Sequence, residues 1–230
     1  MLMPFGQYKD TPVIKLPLGY LLWLRKNVEI RSASLLAALS EAYEARVAER
    51  EAQEKAVLDG LDPSRLAEVT IEDVWEWWKY FAEVFRRQYY DVQLERPDSI
   101  SFMSRRWELG LWWIHERRIQ ITNRYILPYD KFQNILLHEM CHQYITDMRI
   151  LDTSSHGRRW QNIAARMGAV AGHHITIVDD GLYAPSPLEK GAKSLVVYLS
   201  EEEASCEGRS VEELEATYDG FQDDWRSEFL

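Results

Sequence analysis

Residues 138–142 read His-Glu-Met-Cys-His. Two histidines four apart on a helix project from one face, one turn above the other, close enough to share a metal ion. Glu139 beside them is a carboxylate placed to take a proton from a water activated by such an ion. A further histidine, His156, followed by Gly157, lies downstream. The competing reading is a pair of core histidines satisfied by neighbouring carbonyls, with Glu139 bound to an arginine. The surrounding residues weigh against it. The motif falls in Asp130-Lys-Phe-Gln-Asn-Ile-Leu-Leu-His-Glu-Met-Cys-His-Gln-Tyr-Ile-Thr-Asp147, a helical stretch for which Asp130 is the expected N-cap. Phe132, Ile135, Leu136, Leu137, Met140, Cys141, Tyr144 and Ile145 point in nearly every direction around it, and a helix apolar all round is buried. Two imidazoles and a carboxyl are costly to bury without compensation. A zinc ion compensates them directly. Cys141, on the side away from the histidines, is expected as a small buried apolar residue.

The elements that must position these groups follow from composition and pattern. With 230 residues, 46% of them hydrophobic, and with nine tryptophans and twelve tyrosines, the chain can bury a sizeable core. No apolar run approaches the length of a membrane span. The start, Met1-Leu-Met-Pro-Phe-Gly-Gln-Tyr-Lys-Asp10, lacks a basic stretch followed by an apolar one, so no secretory leader is expected. Cys141 and Cys206 are the two cysteines; they cannot make a disulfide framework and are expected as reduced thiols in the cytoplasm. The net charge of −10 is uneven. Residues 189–230 hold twelve acidic and four basic side chains, net −8, whereas residues 99–166 hold ten basic and six acidic, net +4. A locally basic region permits contact with a polyanion without requiring it.

Along the chain, Pro4, Pro12, Pro17 and Gly19 make residues 1–30 irregular apart from an apolar patch at Leu21-Leu-Trp-Leu24. Residues 32–58, rich in Ala, Leu and Glu, predict a long helix ending at Gly60. Thr70-Ile-Glu-Asp73 resembles a capping box with Asp for Glu, opening a helix to about residue 90. Its Val74, Trp77, Trp78, Phe81, Val84 and Phe85 form a broad apolar face. Ile100-Ser-Phe-Met103, Leu111-Trp-Trp-Ile114 and Arg118-Ile-Gln-Ile-Thr122 predict about three short strands leading into the motif helix, as a small antiparallel or mixed sheet. After the loop Asp152-Thr-Ser-Ser-His156, a helix over residues 158–167 is expected, with Trp160, Ile163, Ala164 and Met167 on one face and Gly168 closing it. His173-His174 before Ile175-Thr-Ile-Val178 suggests the start of another strand.

Over residues 70–170 the chain resembles the SprT-like (Spartan-related) zinc metalloproteases. The resemblance rests on Arg105-Arg106-Trp107 and Gly110, on the strand ending Ile119-Gln-Ile-Thr122, on Leu137-His-Glu-Met-Cys-His142, and on His156-Gly157 followed by Trp160 and Met167-Gly168-Ala169. It implies His138, His142 and His156 as zinc ligands and Glu139 as catalytic base. It also implies an α+β, zincin-like fold in which the small sheet packs on the HExxH helix, with a helical N-terminal region added. The domain layout is then 1–65, a helical N-terminal extension; 66–188, the SprT-like domain; and 189–230, an acidic C-terminal segment. Metzincins need an HExxHxxGxxH run that is absent here. Gluzincins use a downstream glutamate, and residues 157–188 contain none. Peptide deformylases take a cysteine from an upstream strand, and no cysteine precedes Cys141.

Two cysteines cannot build the cysteine-rich zinc ribbon that many SprT-like proteins carry, and the acidic tail, with Glu201-Glu-Glu203, would repel a nucleic-acid backbone. The activity implied is that of a zinc-dependent metalloendopeptidase acting on protein or peptide substrates, DNA-associated proteins among them, with no membrane involved. The alternative is a zinc-stabilised binding or adaptor module with little turnover. Arg158, Tyr144, His173 and His174 are candidates by type for stabilising an oxyanion. His173 and His174 are also the alternatives to His156 as third ligand.

Overall fold

The computed structural model describes residues 1–89, 94–177, 181–189 and 191–200. Cys206, Val178 and the acidic run Glu201-Glu-Glu203 lie outside the described residues. The chain forms two compact units, residues 1–60 and 61–230.

In the first unit, Leu2 and Pro12 form an antiparallel bridge, closed by Met3 N–H to the Thr11 carbonyl and Asp10 N–H to the Met3 carbonyl, both 2.8 Å. Residues 1–30 are less irregular than their prolines imply. A 3-10 turn, Val13–Lys15, leads into helix α1, Leu18–Asn27. Pro17 sits at its N-cap, where a missing N–H costs nothing. Helix α2, Ala33–Asp59, is capped at Ser32, whose hydroxyl accepts the Leu35 N–H, and ends at Gly60. Met3, Val13, Leu16, Leu21, Leu24, Leu35, Leu39 and Ala42 make this unit's core. Arg46 of α2 ties it by donating to the carbonyls of Leu16 (3.3 Å) and Ile14 (3.2 Å).

The second unit is a mixed α+β domain. Strand β1, Leu66–Thr70, runs into helix α3, Ile71–Gln88. The capping box is formed: Thr70 Oγ1 accepts the Asp73 N–H, and the Asp73 carboxylate accepts the Thr70 N–H at 2.8 Å. Strands β2, Ser99–Met103; β3, Gly110–Trp113; and β4, Arg118–Thr122, form a mixed sheet in the order β2-β4-β3. In it β2 runs parallel to β4 and β3 antiparallel, with Trp112 opposite Ile119. Ile119 and Ile121 turn into the core, while Gln120 faces the other way and accepts from Trp113 Nε1 at 2.7 Å. A second sheet, unforeseen from sequence, takes β1, the short strand β5, Ile126–Pro128, and β6, Ser194–Tyr198, in the order β1-β6-β5. Its three members lie far apart in the chain, and β6 comes from the segment marked in sequence by its acidity.

Helix α4, Tyr129–Asp147, carries the His-Glu-Met-Cys-His motif. It starts two residues earlier than expected. Pro128, not Asp130, is its N-cap, and Asp130 lies in the first turn. Proline's fixed φ ends β5 and starts the helix in one step, and Asp130 keeps its favourable place near the positive end of the helix. Ten residues of α4 are buried, Gln133, Glu139 and Gln143 among them. Gln143 accepts from Trp78 Nε1 at 3.1 Å and donates to the Glu95 carbonyl, so its amide is satisfied in the core.

Helix α5, Arg158–Ala171, also differs from expectation. It passes through Gly168 and stops at Gly172, whose φ of +71° makes it the left-handed cap. Gly168 serves another purpose, because a Cβ there would overlap the His173 carbonyl. Residues 173–177 form no strand.

Candidate metal centre

Helix α4 puts His138 and His142 one turn apart, with their Nε2 atoms 3.2 Å from each other. His156 arrives from the loop before α5, and its Nε2 lies 3.0 Å from that of His138 and 3.1 Å from that of His142. The structure therefore brings together the three histidines singled out in the sequence, as a group that could hold a metal ion. The Nδ1 of His138 lies 2.9 Å from the Thr176 carbonyl. A carbonyl only accepts, so Nδ1 carries the proton and the Nε2 lone pair is aimed at the cluster.

Burial keeps the imidazoles neutral. Desolvation takes the pKa of His138 down to about 4 and that of His142 to about 3; desolvation lowers His156 as well. Three neutral nitrogens this close, one of them fixed as an acceptor, are poor partners for each other. They make a good donor set for a cation.

Trp160 backs the group. Its ring centroid is 4.7 Å from that of His138, 5.3 Å from that of His142 and 4.6 Å from that of His156. Asp152 sets its position. This carboxylate accepts the Trp160 N–H and the Thr153 N–H, each at 2.8 Å, and so satisfies an open donor in the first turn of α5. Those bonds hold its pKa below the usual carboxylate value, the one from Trp160 foremost. Gly157 is required by the same contact, since a Cβ there would overlap the Asp152 carboxylate. Gln161 Nε2 donates to the His156 carbonyl at 3.0 Å, fixing the loop from its other side.

Glu139 is 4% exposed. Burial pushes its carboxyl up to about 8, opposed by a hydrogen bond from the Trp112 N–H of β3. Gly110, earlier on the same strand, lets α4 come this close, because a Cβ would overlap both the Glu139 carboxylate and the Ile135 side chain. Trp112 Nε1 adds a bond to Thr146 Oγ1 at 3.1 Å. An outer strand of the mixed sheet thus lies along α4 and grips the carboxylate between the histidines.

The three histidines, Glu139, Gly110, Trp112, Asp152 and Thr176 line one cleft of about 650 Å³, together with Trp107, Leu109, Ile114, Ile135, Ile145 and Ile177. The four residues considered for oxyanion stabilisation are placed elsewhere. Tyr144 is buried in the core, Arg158 is exposed at the start of α5, and neither His173 nor His174 is on the cleft wall. His173 packs edge-on against Phe81 at 5.8 Å. The sequence held no sign of Thr176, which acts through a carbonyl that any residue possesses. Asp152 was legible only as a loop residue.

A mixed α+β domain in which two imidazoles and a carboxyl of a buried helix meet a third imidazole from the loop before α5 is a metallopeptidase-like domain. Residues 79–179 match the model of the SprT-like family. Residues 1–49 match a second family model, described as "Putative quorum-sensing-regulated virulence factor"; that match lies within the first unit and includes none of the site. No curated protein and no solved structure matches the chain.

Proposed function

We propose that the protein is a zinc-dependent metalloendopeptidase, with His138, His142 and His156 as zinc ligands and Glu139 as general base. The supporting observation is the triangle of Nε2 atoms, 3.0 to 3.2 Å on a side, in the cleft that also holds Glu139. Zinc binds imidazole at about 2.0–2.1 Å, so tetrahedral directions would set three nitrogens about 3.3 Å apart. The donors present fit that ion. Bound there, zinc would polarise a scissile carbonyl and bring the pKa of a water towards about 7.

The chain's own residues supply the rest. The Thr176 carbonyl orients His138, and neutral His142 and His156 need shed no proton to bind. Burial makes Glu139 far more basic than an exposed glutamate, and attraction to a cation in the triad restores its ionised form. It can then accept a proton from water and pass it to the departing amine. The Trp112 N–H keeps the carboxylate facing the cleft.

Glu139→Gln is expected to keep zinc, measured by metal analysis, and to abolish peptide hydrolysis; hydrolysis at the wild-type rate would remove the catalytic role. His156→Ala is expected to weaken zinc binding sharply in a chelator competition, and unchanged affinity would remove His156 from the ligand set.

A zinc-stabilised binding or adaptor module is the second reading, supported by a first unit that has its own core and carries none of the site. Stoichiometric zinc with no hydrolysis of any peptide would favour it. A link to DNA-associated substrates is proposed on narrower ground: the net +4 of residues 99–166, and Arg105 and Arg118 standing over the Trp113 ring at 5.8 and 5.3 Å. Single-stranded or duplex DNA added to the peptidase assay tests it; an unchanged rate and no gel shift at low salt would eliminate the link.

A further inference from the structure

The large apolar side chains left exposed in the second unit are not scattered. Among the described residues they are Ile114, Met148, Leu151 and Ile177, exposed by 57, 42, 84 and 41%. Ile114 and Ile177 stand on the cleft wall. Met148 and Leu151 belong to the turn that leaves α4 and returns to His156 through Asp152 and Ser155, which are cleft residues themselves. Two separate segments, after β3 and after α5, thus present exposed apolar surface to one site. Single exposed apolar residues are ordinary, but two of these four, Ile114 and Ile177, stand on the wall of one cleft, which marks a place where apolar matter is received.

The interior of the cleft continues that character through Leu109, Trp112, Ile135 and Ile145. Its charged groups are already engaged. Asp152 holds the α5 backbone, Glu139 holds the Trp112 N–H, Glu108 is 3.7 Å from Arg105, and Lys131 has a partner of its own. Ile177 is also prepositioned, because its neighbour Thr176 is bonded to His138.

A volume of about 650 Å³ admits a few side chains and no folded domain. Bulky apolar side chains are mostly buried in folded proteins, so the segments that fit are those exposed by unfolding or in flexible chain.

We propose that the cleft selects unfolded polypeptide segments with a bulky aliphatic or aromatic side chain beside the scissile bond, and that Ile114 and Ile177 are the residues that determine this selectivity. The proposal rests on the peptidase reading above and names its substrate class.

The test uses full-length, zinc-loaded Glu139→Gln protein and fluorescein-labelled octapeptides that differ at one position as Leu, Phe, Ser or Asp. The Leu and Phe peptides are expected to bind about tenfold more tightly than the Ser and Asp peptides. Adding Ile114→Ser and Ile177→Ser together is expected to bring the four within about twofold with zinc content unchanged; both positions are exposed, so the fold is retained. Equal binding of the four peptides, or a preference that survives the double change, overturns the proposal. Wild-type cleavage of the same peptides is scored separately. Cleavage without apolar preference overturns the selectivity and leaves the peptidase standing. Selective binding with no cleavage supports the selectivity and removes the peptidase.

Discussion

Glu139 has apolar neighbours on most sides and one backbone N–H, that of Trp112, to hold its charge. Such a carboxyl is reactive because it is poorly solvated, and its exact placement depends on Gly110 having no side chain. Gly110→Ala is expected to push the Glu139 carboxylate and Ile135 aside, at a cost of about 1–3 kcal/mol in a urea titration, and to lower kcat with zinc content unchanged. Wild-type kcat in that variant would show that the strand does not aim the base. Asp152 plays the same part for the third histidine. Asp152→Ala should lower the denaturation midpoint, as loss of a helix-start acceptor does, and should weaken zinc binding because the loop carrying His156 loses its anchor. Full zinc affinity in that variant would mean that Gln161 and Trp160 suffice.

At the scale of elements, the site depends on α4 lying along β3 in one register. Two ties set it: Trp112 to Thr146, and Arg117 in the β3–β4 turn to Asp147 at the end of α4, 2.6 Å apart. Arg117 adopts a φ of +42°, a left-handed conformation that a non-glycine residue holds only when its surroundings demand it. The Asp147 side chain is 3% exposed and that of Arg117 26%. Asp147→Ala removes the nearest acceptor of Arg117, which keeps the Glu95 carboxylate at 3.4 Å. The change is therefore expected to cost about 1–2 kcal/mol, read as a shift of the denaturation midpoint; a loss below a few tenths would show that solvent already screens the pair. Local signals served well for elements whose ends are set locally. The capping box opened α3 and Ser32 opened α2 as the residues suggested. The end of α5 was misplaced because Gly168 and Gly172 are alike in sequence. One is glycine for a close approach and the other for its φ, and only the packing of residue 173 tells them apart.

For the whole molecule, the imidazoles couple stability to pH and to metal. In metal-stripped protein, His138 and His142 stay neutral down to about 4 and 3, while an unfolded imidazole protonates near 6.5. Between these values the unfolded chain binds more protons at the two imidazoles. The buried Glu139 carboxyl, protonated below about 8 when folded, offsets part of this. With two imidazoles against one carboxyl, stability still falls as pH falls from 6.5 towards 4.5. Denaturation midpoints of the stripped protein should drop between pH 7.5 and pH 5; a flat profile would mean that the imidazoles are more solvated than their surroundings imply. Added zinc should raise Tm and a chelator reverse it, since a ligand at a thousand times its Kd contributes about 4 kcal/mol. No described helix is long and apolar enough to cross a membrane.

The sequence by itself determined the chemistry on offer, because histidines four apart on a helix must share a face. It also determined the burial of that helix, through apolar residues on nearly every side of it. It did not determine what completes the site. The second sheet pairs strands separated by most of the domain, and such pairing leaves no local trace. The Thr176 carbonyl, the Trp112 N–H and the Asp152 cap act through backbone groups common to all residues or through contacts across the fold. Tertiary structure alone decided that His156 closes the triangle and that His173 does not, because ligand choice depends on which imidazole the chain can bring within about 3 Å of the other two.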